Sequence, residues 1–320
     1  MPGSRVWQHV NDNSTMDEAS MQDATKVFQA SRRKLQGIAY RMLGSVHEAE
    51  ETVQDAWLRW NEVAQRDALA SPEAWLVTAT TRLALDRLRA AKVRRESYPG
   101  AWLPEPLLSE APATPHDLLE RADDISVAFL VLLEQLAPEA RAAFLMREVF
   151  DADYAEVAQV IGKSEAACRQ LVHRAKGHLR EGRPRQRVAP EVHRQLLGRF
   201  AVAVSRGDFA SLKSLLDEDA QLIGDGGGKV PSFAHPLHGG QRVAQLFYAT
   251  HRRYGERLRM EPALINGEWG LLRFVDGRLE SAQSLDVAGE RIVRIHVQRN
   301  PDKLARLLAA YEGKNAPSRD

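Results

Sequence analysis

The stretch from Tyr98 to His116, YPGAWLPEPLLSEAPATPH, contains five prolines. Proline donates no backbone hydrogen bond and biases the preceding residue away from helical geometry, so this stretch cannot continue a helix or fill the middle of a sheet. It therefore divides the 320-residue chain into units that fold on either side of a linker, which we place at residues 99–120. Because an exposed linker seldom keeps an apolar pair such as Trp102 and Leu103, we expect the segment WLPEP to dock on another part of the protein.

Apolar residues recur at helical spacing before this linker. They are Phe28, Leu35, Ile38, Met42, Val53, Ala56, Trp57, Trp60, Leu76, Ala79, Leu83 and Leu88. Residues 71–73, Ser-Pro-Glu, start the last helix with a capping hydroxyl, a proline in the first turn and an early acid. We predict a unit of three or four helices over residues 22–98, with Trp60 in its core, after a disordered segment at 1–21.

The charge of the chain is unevenly distributed. Lys plus Arg number 44 and Asp plus Glu 43, so the net charge of +1 gives no indication of a nucleic-acid partner. Two stretches are nevertheless basic and one is acidic, which predicts two cationic surfaces and one anionic surface. The basic stretches contain Arg82, Arg87, Arg89, Lys92, Arg94 and Arg95, and then Lys163, Arg169, Arg174, Lys176, Arg180, Arg183 and Arg185; the acidic one contains Glu48, Glu50, Glu51 and Asp55.

Several classes of protein are disfavoured by the composition. No apolar run approaches the roughly 18 residues of a membrane helix, and the polar N-terminal stretch lacks an export signal, so we expect a cytoplasmic protein. The single cysteine, Cys168, allows neither a disulfide within the chain nor a thiolate metal cluster, and it is typical of a small buried residue. We expect no metal and no cofactor.

Residues 121–183 contain the pattern of a helix-turn-helix. A short amphipathic helix from Ala155 to Ile161 precedes Gly162, which permits a left-handed turn, and Ser164, which can cap a second helix. The second helix of such a pair can enter the major groove of DNA. Its outward residues are Glu165, Arg169, Gln170, His173, Arg174 and Lys176. A helical hairpin without DNA binding is the alternative, but outward cations and an amide favour DNA.

After residue 188 the pattern changes to helices followed by strands. Turn dipeptides separate segments in which apolar residues alternate. The dipeptides are Asn266-Gly267, Asp276-Gly277 and Ala288-Gly289. We predict a curved antiparallel sheet wrapped by N-terminal helices over residues 188–312, followed by a flexible tail at 313–320. Such a roll commonly encloses a pocket.

The glycine-rich segment DGGGKV, residues 225–230, does not match a phosphate-binding loop. Three residues separate Gly224 from Gly228 where such a loop has four, and Val230 stands where a Ser or Thr is needed. We predict instead that the glycines permit a left-handed or closely packed backbone.

The segment NPDKL, residues 300–304, predicts the start of a helix. It offers a capping asparagine, a proline in the first turn and an early acid, in that order. One face of this helix would carry Leu304, Leu307 and Leu308. That face requires a partner surface.

The order of these segments resembles a known family. The segments HEAEETVQDAWLRW and PEAWLVTATTRLALDRLRAAKVRR, followed by a helix-turn-helix, are similar to bacterial RNA polymerase sigma factors of the extracytoplasmic-function type over about residues 22–182. WLPEP, DGGGKV and NPDKL look like the signature stretches of the subgroup with a fused SnoaL-like domain. The resemblance implies a multidomain chain: a helical sigma-2 type domain, a helix-turn-helix sigma-4 type domain and a C-terminal α+β roll of the NTF2-like fold.

The resemblance also implies an alternative sigma factor that binds core RNA polymerase, recognises −10 and −35 promoter DNA and initiates transcription, with the C-terminal domain regulating it in cis. The contacts with the clamp helices of the largest polymerase subunit would be Glu50, Gln54, Asp55, Trp57 and Leu58. The −10 contacts would be Arg82, Asp86, Arg87, Arg89, Lys92, Arg94 and Arg95, with the loop Gln65 to Ser71. The −35 contacts would be Lys163, Ser164, Glu165, Arg169, Gln170, His173, Arg174 and Lys176. The interdomain regulatory residues would be Trp102, Leu103, Pro104, Glu105, Pro106, Asp225, Gly226, Gly227, Gly228, Lys229, Asn300, Pro301, Asp302, Lys303 and Leu304.

Two other functions stay open at this point. SnoaL-like domains include cyclases and isomerases, and an unknown small molecule could occupy the C-terminal pocket. Candidate acid–base residues for such an enzyme are Asp225, His235, His238, His251, Asp286 and His296. A helix-turn-helix regulator that acts without polymerase is the second alternative, but it leaves the acidic, aromatic helix near Trp57 unexplained.

Overall fold

The computed structural model describes residues 8–63, 69–109, 125–182 and 188–315. The helices are α1 (Gln8–Leu43), α2 (Val46–Asn61), α3 (Pro72–Glu96), α4 (Val127–Glu134), α5 (Pro138–Phe144), α6 (Tyr154–Ile161), α7 (Glu165–Gly182), α8 (Pro190–Arg206), α9 (Phe209–Leu215), α10 (Gly240–Tyr254) and α11 (Pro301–Asn315). The strands are β1 (Leu216–Asp225), β2 (Leu237–His238), β3 (Leu258–Ile265), β4 (Glu268–Val275), β5 (Arg278–Ala288) and β6 (Arg291–Gln298). In the described residues no helix is both long and apolar enough to cross a membrane.

The chain forms two compact units, and neither is continuous in sequence. The first unit is Met1–Ala91 with Pro138–Arg174, and the second is Lys92–Ala137 with Ala175–Asp320. The boundaries expected from the sequence lay at the ends of the linker instead. The second unit includes the linker and α4 because Leu103 and Val127 are buried within it, at 1% and 6% exposure.

The first unit is helical and is built on α1, α2 and α3. Helix α1 begins at Gln8, well before residue 22, where the helical unit was expected to start. Trp60 is 1% exposed and donates its indole N–H to the carbonyl of Ala24 at 3.0 Å, so it is a core residue as predicted. The guanidinium of Arg141, from α5, is also buried and donates to the carbonyl of Met42 at 2.8 Å.

Helices α6 and α7 form the helix-turn-helix. Asp153 caps α6 in a reciprocal capping box with Glu156, and Gly162 ends the helix with a left-handed φ of 74°. Ser164 accepts the backbone N–H of Ala167 at 3.3 Å and so caps α7. Cys168 is fully buried, and burial raises the pKa of its thiol, as expected of a residue that serves only in packing.

The second unit contains a six-stranded sheet of order β2-β1-β6-β5-β4-β3. The sheet was predicted to be antiparallel throughout, but β1 and β6 pair in parallel, because β1 enters from α9 and the β3–β6 meander ends beside it. Leu271 belongs to an apolar cluster with α8 and α10, whereas its neighbour Leu272 belongs to a cluster with α4 and α11. Successive residues of a strand point to opposite faces, so this sheet is buried on both.

The hairpin turns lie where the sequence predicted them. Asn266 and Gly267 join β3 to β4, and Asp276 and Gly277 join β4 to β5, all four with positive φ. Two successive residues of positive φ make the turn whose twist matches the flanking strands. Gly289, with φ 58°, lies in the turn between β5 and β6.

Candidate nucleic-acid interface and the linker site

The acidic helix α2 presents an exposed leucine. Leu58 is 54% exposed, and Gln54 beside it on the helix is exposed as well. Trp57 is half-buried and its ring lies 4.8 Å from that of Phe28. Glu50 and Asp55 are half-buried. The five residues predicted to contact polymerase therefore form a mixed surface with one apolar side chain open to a partner.

Basic residues of α3 are engaged inside the first unit. Arg87 bridges Glu51 and Asp55 of α2, each at 2.7 Å. Burial by itself would lower the pKa of Arg87, but these two carboxylates outweigh it and the pKa is raised. This cation of the predicted −10 surface thus binds the predicted polymerase surface.

Two further α3 cations contact α5 and α6, the helices that precede α7. Arg89 binds Glu139 of α5 at 2.8 Å and Asp86 at 3.1 Å, and Arg82 donates to the carbonyl of Gln159 in α6 at 2.7 Å. Partial burial would raise the pKa of Glu139, but the hydrogen bond from Arg89 lowers it below its usual value. Lys92 and Arg94 are exposed. The loop residues 64–68, which include Gln65, lie outside the described part of the chain.

Arg95, like Lys92 and Arg94, belongs to the second unit. It forms an ion pair with Glu134 of α4, and its guanidinium stacks 3.6 Å from the ring centroid of Trp102. A guanidinium between a carboxylate and an indole is held by charge and by a cation–π contact together. In this structure Arg95 is therefore a linker contact.

The outward face of α7 carries the predicted −35 residues. Arg169 binds Glu165 at 2.6 Å and lies 5.0 Å from the ring centroid of Tyr154. Lys176 is half-buried. The remaining predicted members are exposed: Lys163, Ser164, Gln170, His173 and Arg174.

In the second unit the linker WLPEP is bound by a buried carboxylate. Asp225, at the end of β1, has no exposed surface. Its Oδ2 accepts the backbone N–H of Leu103 at 2.9 Å and the ammonium of Lys303 at 2.7 Å, and its Oδ1 accepts the hydroxyl of Tyr98 at 2.7 Å. Gln298, across the strand pair, donates to the carbonyls of Leu103 and Pro104 at 3.3 and 3.2 Å. We call Tyr98, Leu103, Asp225, Gln298 and Lys303 the linker site.

Lys303 holds the linker through three partners. Besides Asp225, its ammonium donates to the carbonyl of Leu103 at 2.7 Å and lies 4.1 Å from the ring centroid of Trp102. Burial lowers the pKa of Lys303, and the charge of Asp225 opposes that shift. The buried cation thus depends on its carboxylate partner.

The glycines of DGGGKV allow the close approach of neighbouring groups. A Cβ on Gly226 would lie 2.2 Å from the carbonyl oxygen of Val230, and one on Gly227 would lie 2.3 Å from the side chain of Asn300. Gly227 and Gly228 also have positive φ, at 62° and 70°. The segment is therefore a structural turn.

NPDKL begins α11 as its sequence indicated. Asn300 accepts the backbone N–H of Asp302 at 3.1 Å and donates to the hydroxyl of Tyr98 at 3.1 Å. Lys229 of the glycine-rich turn binds Asp302 at 2.5 Å. Leu304 and Leu307 are buried in the cluster that includes Val127 and Phe274, while Pro301 is exposed. All three signature segments thus meet within one unit.

The linker continues from WLPEP along the edge of the sheet. Pro104, Glu105 and Pro106 are buried. Beyond them, the backbone of Asn266 donates to the carbonyl of Leu107, and Ser109 donates to the carbonyl of Leu264, each at 2.8 Å. Residues 103–109 are therefore held by backbone as well as side-chain contacts.

Comparison with known proteins assigns the chain to a family. Two family models match: Sigma-70 region 2 over residues 27–94, and Sigma-70, region 4 over residues 126–179. The ECF RNA polymerase sigma factor SigJ of Mycobacterium tuberculosis (strain ATCC 25618 / H37Rv) is 38% identical over 287 residues, which cover 86% of this chain and 91% of SigJ. The chain belongs to the ECF RNA polymerase sigma factors.

Two further similarities extend over most of this sigma factor. The probable ECF RNA polymerase sigma factor SigI of Mycobacterium tuberculosis (strain CDC 1551 / Oshkosh) is 31% identical over 289 residues, covering 89% of this chain and 96% of SigI. A crystal structure of the Mycobacterium tuberculosis SigJ superposes with a TM-score of 0.71 at 34% identity, covering 88% of this chain and 98% of that one. The expected fold class, two helical sigma domains and a C-terminal α+β roll, is confirmed.

Membership of the sigma factors resolves the two alternatives. A sigma factor is not an enzyme, and none of the six candidate acid–base residues lines the large cavity of the roll. Asp225 is bound to the linker, while Asp286 and His296 form a buried pair 3.7 Å apart. The family assignment likewise supersedes the second alternative, a helix-turn-helix regulator that acts without polymerase.

Sequence reasoning missed two residues of the linker site. Tyr98 is the first residue of the proline-rich stretch, four residues before WLPEP, and Gln298 lies two residues before NPDKL, so both lay just outside a signature. Alternation along the last strand could have placed Gln298 on the same face as His296, but it could not have placed Asp225 opposite. That pairing arises only from the parallel register of β1 and β6.

Proposed function

We propose that the C-terminal roll regulates this sigma factor in cis by holding the linker in the linker site, which keeps regions 2 and 4 together until the linker is released. The observation that carries the proposal is the buried carboxylate of Asp225, which binds the linker at Tyr98 and Leu103. The ion pair of Arg95 with Glu134 supports it, because it joins the end of α3 to α4, the first helix of region 4.

The spacing of promoter elements gives the physical reason. The −10 and −35 elements are about 25 base pairs apart, which is about 85 Å of duplex. Residues 99–124 could span at most about 90 Å when fully extended, whereas docking of residues 99–109 leaves residues 110–124 with a reach of about 50 Å. Docking therefore restricts how far regions 2 and 4 can separate along the DNA.

Contacts of the −10 cations within the first unit support the same restriction. Arg82 and Arg89 bind Gln159 and Glu139, which belong to region 4. These cations must leave those partners before they can neutralise phosphates. We infer that the described arrangement is the resting state of the sigma factor.

The linker site can be disabled by one isosteric substitution. Asp225→Asn removes the charge opposite Lys303, whose side chain is 13% exposed, and breaking a buried pair in this way costs about 3–5 kcal/mol. We expect in vitro transcription by core polymerase from a matching promoter to rise several-fold with Asp225→Asn. The matched control is Asp276→Asn, in an exposed turn of the same unit, which should leave transcription unchanged.

A second variant excludes misfolding of the roll as the cause. Trp102→Ala removes the ring that lies between Arg95 and Lys303 and leaves the core of the roll intact. Its transcription should rise in the same direction as that of Asp225→Asn. If both variants transcribe like the unaltered protein, or less well, the linker site does not restrain the sigma factor.

We also propose the surfaces that carry out initiation, with the protein acting in the cytoplasm. The polymerase clamp helices would contact Glu50, Gln54, Asp55, Trp57 and Leu58, a proposal supported by the exposure of Leu58 beside acidic residues. Region 2 would contact the −10 element through Arg82, Asp86, Arg87, Arg89, Lys92, Arg94 and, once the linker is released, Arg95. Region 4 would contact the −35 element through Lys163, Ser164, Glu165, Arg169, Gln170, His173, Arg174 and Lys176. A small molecule bound in the roll would act through the linker site.

A further inference from the structure

The roll contains a cavity of about 520 Å³ between the sheet and α10. Small-molecule sites have volumes of about 300–1,000 Å³, so the cavity can take a ligand of one or two rings. Its apolar wall is formed by Leu222, Phe233, Leu246, Phe247, Tyr254 and Val297. The cavity lies entirely within the second unit.

Three charged residues lie together in the wall of this cavity: Arg273, Glu280 and Arg299. Arg273 donates from Nε to Glu280 Oε2 at 2.6 Å, and Arg299 Nη2 lies 2.5 Å from Glu280 Oε1. The Arg273 and Glu280 side chains are 11% and 21% exposed, and that of Arg299 is 27% exposed. One carboxylate between two guanidinium groups leaves one positive charge in excess.

The backbone presents this charge group through a β-bulge. Arg273 pairs with Ser281 and Phe274 with Leu279, so Glu280 is the extra residue on β5. A bulge bends its strand and redirects a side chain, and here it allows Glu280 to bind both arginines. Burial by itself would raise the pKa of Glu280, but Arg273 and Arg299 lower it, so its carboxylate is ionised near neutral pH.

Arg299 retains binding capacity in this arrangement. Its Nη1 donates to the carbonyl of Pro231, while its buried Nε has no hydrogen-bond partner among the described residues. Arg253 of α10 lines the same cavity and is exposed. A desolvated cation in excess over its carboxylates is stabilised by an anion.

We propose that this cavity binds a small organic anion, with its carboxylate against Arg299 and Arg273 and its apolar body against Leu246 and Phe247. The excess charge selects the anion, and the apolar wall selects a ring or chain over a small inorganic ion. The volume of the cavity suits one ligand of this size.

This ligand site adjoins the linker site, and its effect rests on the regulation proposed above. On β1, Gly224 lines the cavity and the next residue, Asp225, binds the linker. On β6, Val297 lines the cavity and the next residue, Gln298, binds the linker. The backbone N–H of Arg299 also donates to the carbonyl of Asp225 at 2.7 Å. A ligand that fixes Arg299 should steady the ends of β1 and β6 and so favour the docked linker.

The binding test uses 2-naphthoate and its neutral, similarly shaped analogue 2-naphthamide on the full-length chain, measured by calorimetry. We expect 2-naphthoate to bind about tenfold more tightly than 2-naphthamide, which corresponds to about 1.4 kcal/mol. Arg299→Gln should remove that preference, and Arg278→Gln, at an exposed position outside the cavity, should retain it. Leu246→Trp, which narrows the cavity at its apolar wall and leaves the charges in place, should weaken binding of both compounds.

Three results would overturn the ligand site: no binding of 2-naphthoate at millimolar concentration, equal affinity for the two compounds, or a preference that survives in Arg299→Gln. Transcription is not needed for this test, so it can fail or succeed independently of the proposed regulation. The coupling is tested by hydrogen exchange at the amide of Leu103, which saturating 2-naphthoate should slow several-fold. Unchanged exchange with the compound bound would show that the cavity does not act on the linker.

Discussion

Asp225 and Glu280 are carboxylates that hold cations in places where water is largely excluded. Asp225 binds Lys303 beside the linker, and Glu280 binds two arginines beside the cavity. In both places the carboxylate compensates a cation that is largely removed from solvent, so removing the carboxylate leaves that cation without its counter-charge. Each residue therefore affects stability as well as its neighbouring site.

Stability of the roll should depend on pH through Glu280. The pKa of Glu280 is lower in the folded than in the unfolded chain. Its ion pairs therefore add to the free energy of unfolding at pH values above the pKa of the unfolded chain, about 4.3. This stabilisation is lost as the pH falls through the folded-state pKa. Glu280→Gln should therefore destabilise the chain by about 3 kcal/mol at neutral pH, and by progressively less on acidification.

Urea unfolding over a pH series measures this difference. The control is Glu290→Gln, at an exposed turn position, which should unfold like the original chain at each pH. A gap between Glu280→Gln and the unaltered protein that stays constant from neutral to acid pH would show that Glu280 does not titrate as argued.

Helix α2 has a buried apolar face and an acidic outer face that carries one exposed leucine. One face packs Val53, Ala56 and Trp60 into the core, and the other combines acids with the exposed Leu58. An apolar residue within a charged rim is typical of the energetic centre of an interface, where the rim steers and the apolar side chain is desolvated.

Leu58→Asp should weaken binding to core polymerase about tenfold or more, since it places a charge at the centre of the proposed contact. Val202→Asp is the matched control, because Val202 is a similarly exposed apolar residue, at 49%, on a helix of the roll. Binding measured by fluorescence anisotropy should be unchanged for the control. Equal affinity of both variants would remove α2 from the polymerase interface.

In the whole molecule, release of the linker should change how the affinity for a promoter depends on salt concentration. Each phosphate that a protein neutralises adds about 0.9 to the slope of log affinity against log salt concentration. If the docked linker restrains regions 2 and 4 as proposed, they cannot engage both elements fully while it stays docked. Asp225→Asn holoenzyme should therefore show a steeper slope than the unaltered holoenzyme on the same promoter.

Filter binding or anisotropy over a salt series gives this slope. Asp276→Asn serves again as the control and should match the unaltered holoenzyme. Identical slopes for Asp225→Asn and the unaltered holoenzyme would mean that releasing the linker adds no phosphate contacts, which would count against a resting state held by the linker.

Much of this protein was determined by local sequence. The proline-rich linker, the glycine turn after α6, the hairpin dipeptides and the capping residues each act within a few positions of the chain, so their effects are readable without a fold. The family resemblance also rests on short motifs and on their order along the chain, both of which are visible in the sequence.

The partners of the buried charged side chains depend on the tertiary structure. Asp225 meets Gln298 only because β1 lies parallel to β6, and Glu280 meets Arg299 only through a bulge and the antiparallel pairing of β5 with β6. Arg95 was predicted as a DNA contact from the family resemblance and its basic stretch, and only the structure reveals that its guanidinium also stacks on Trp102. A local pattern specifies backbone conformation, whereas the partner of a buried charge depends on register and on which distant segments share its desolvated space.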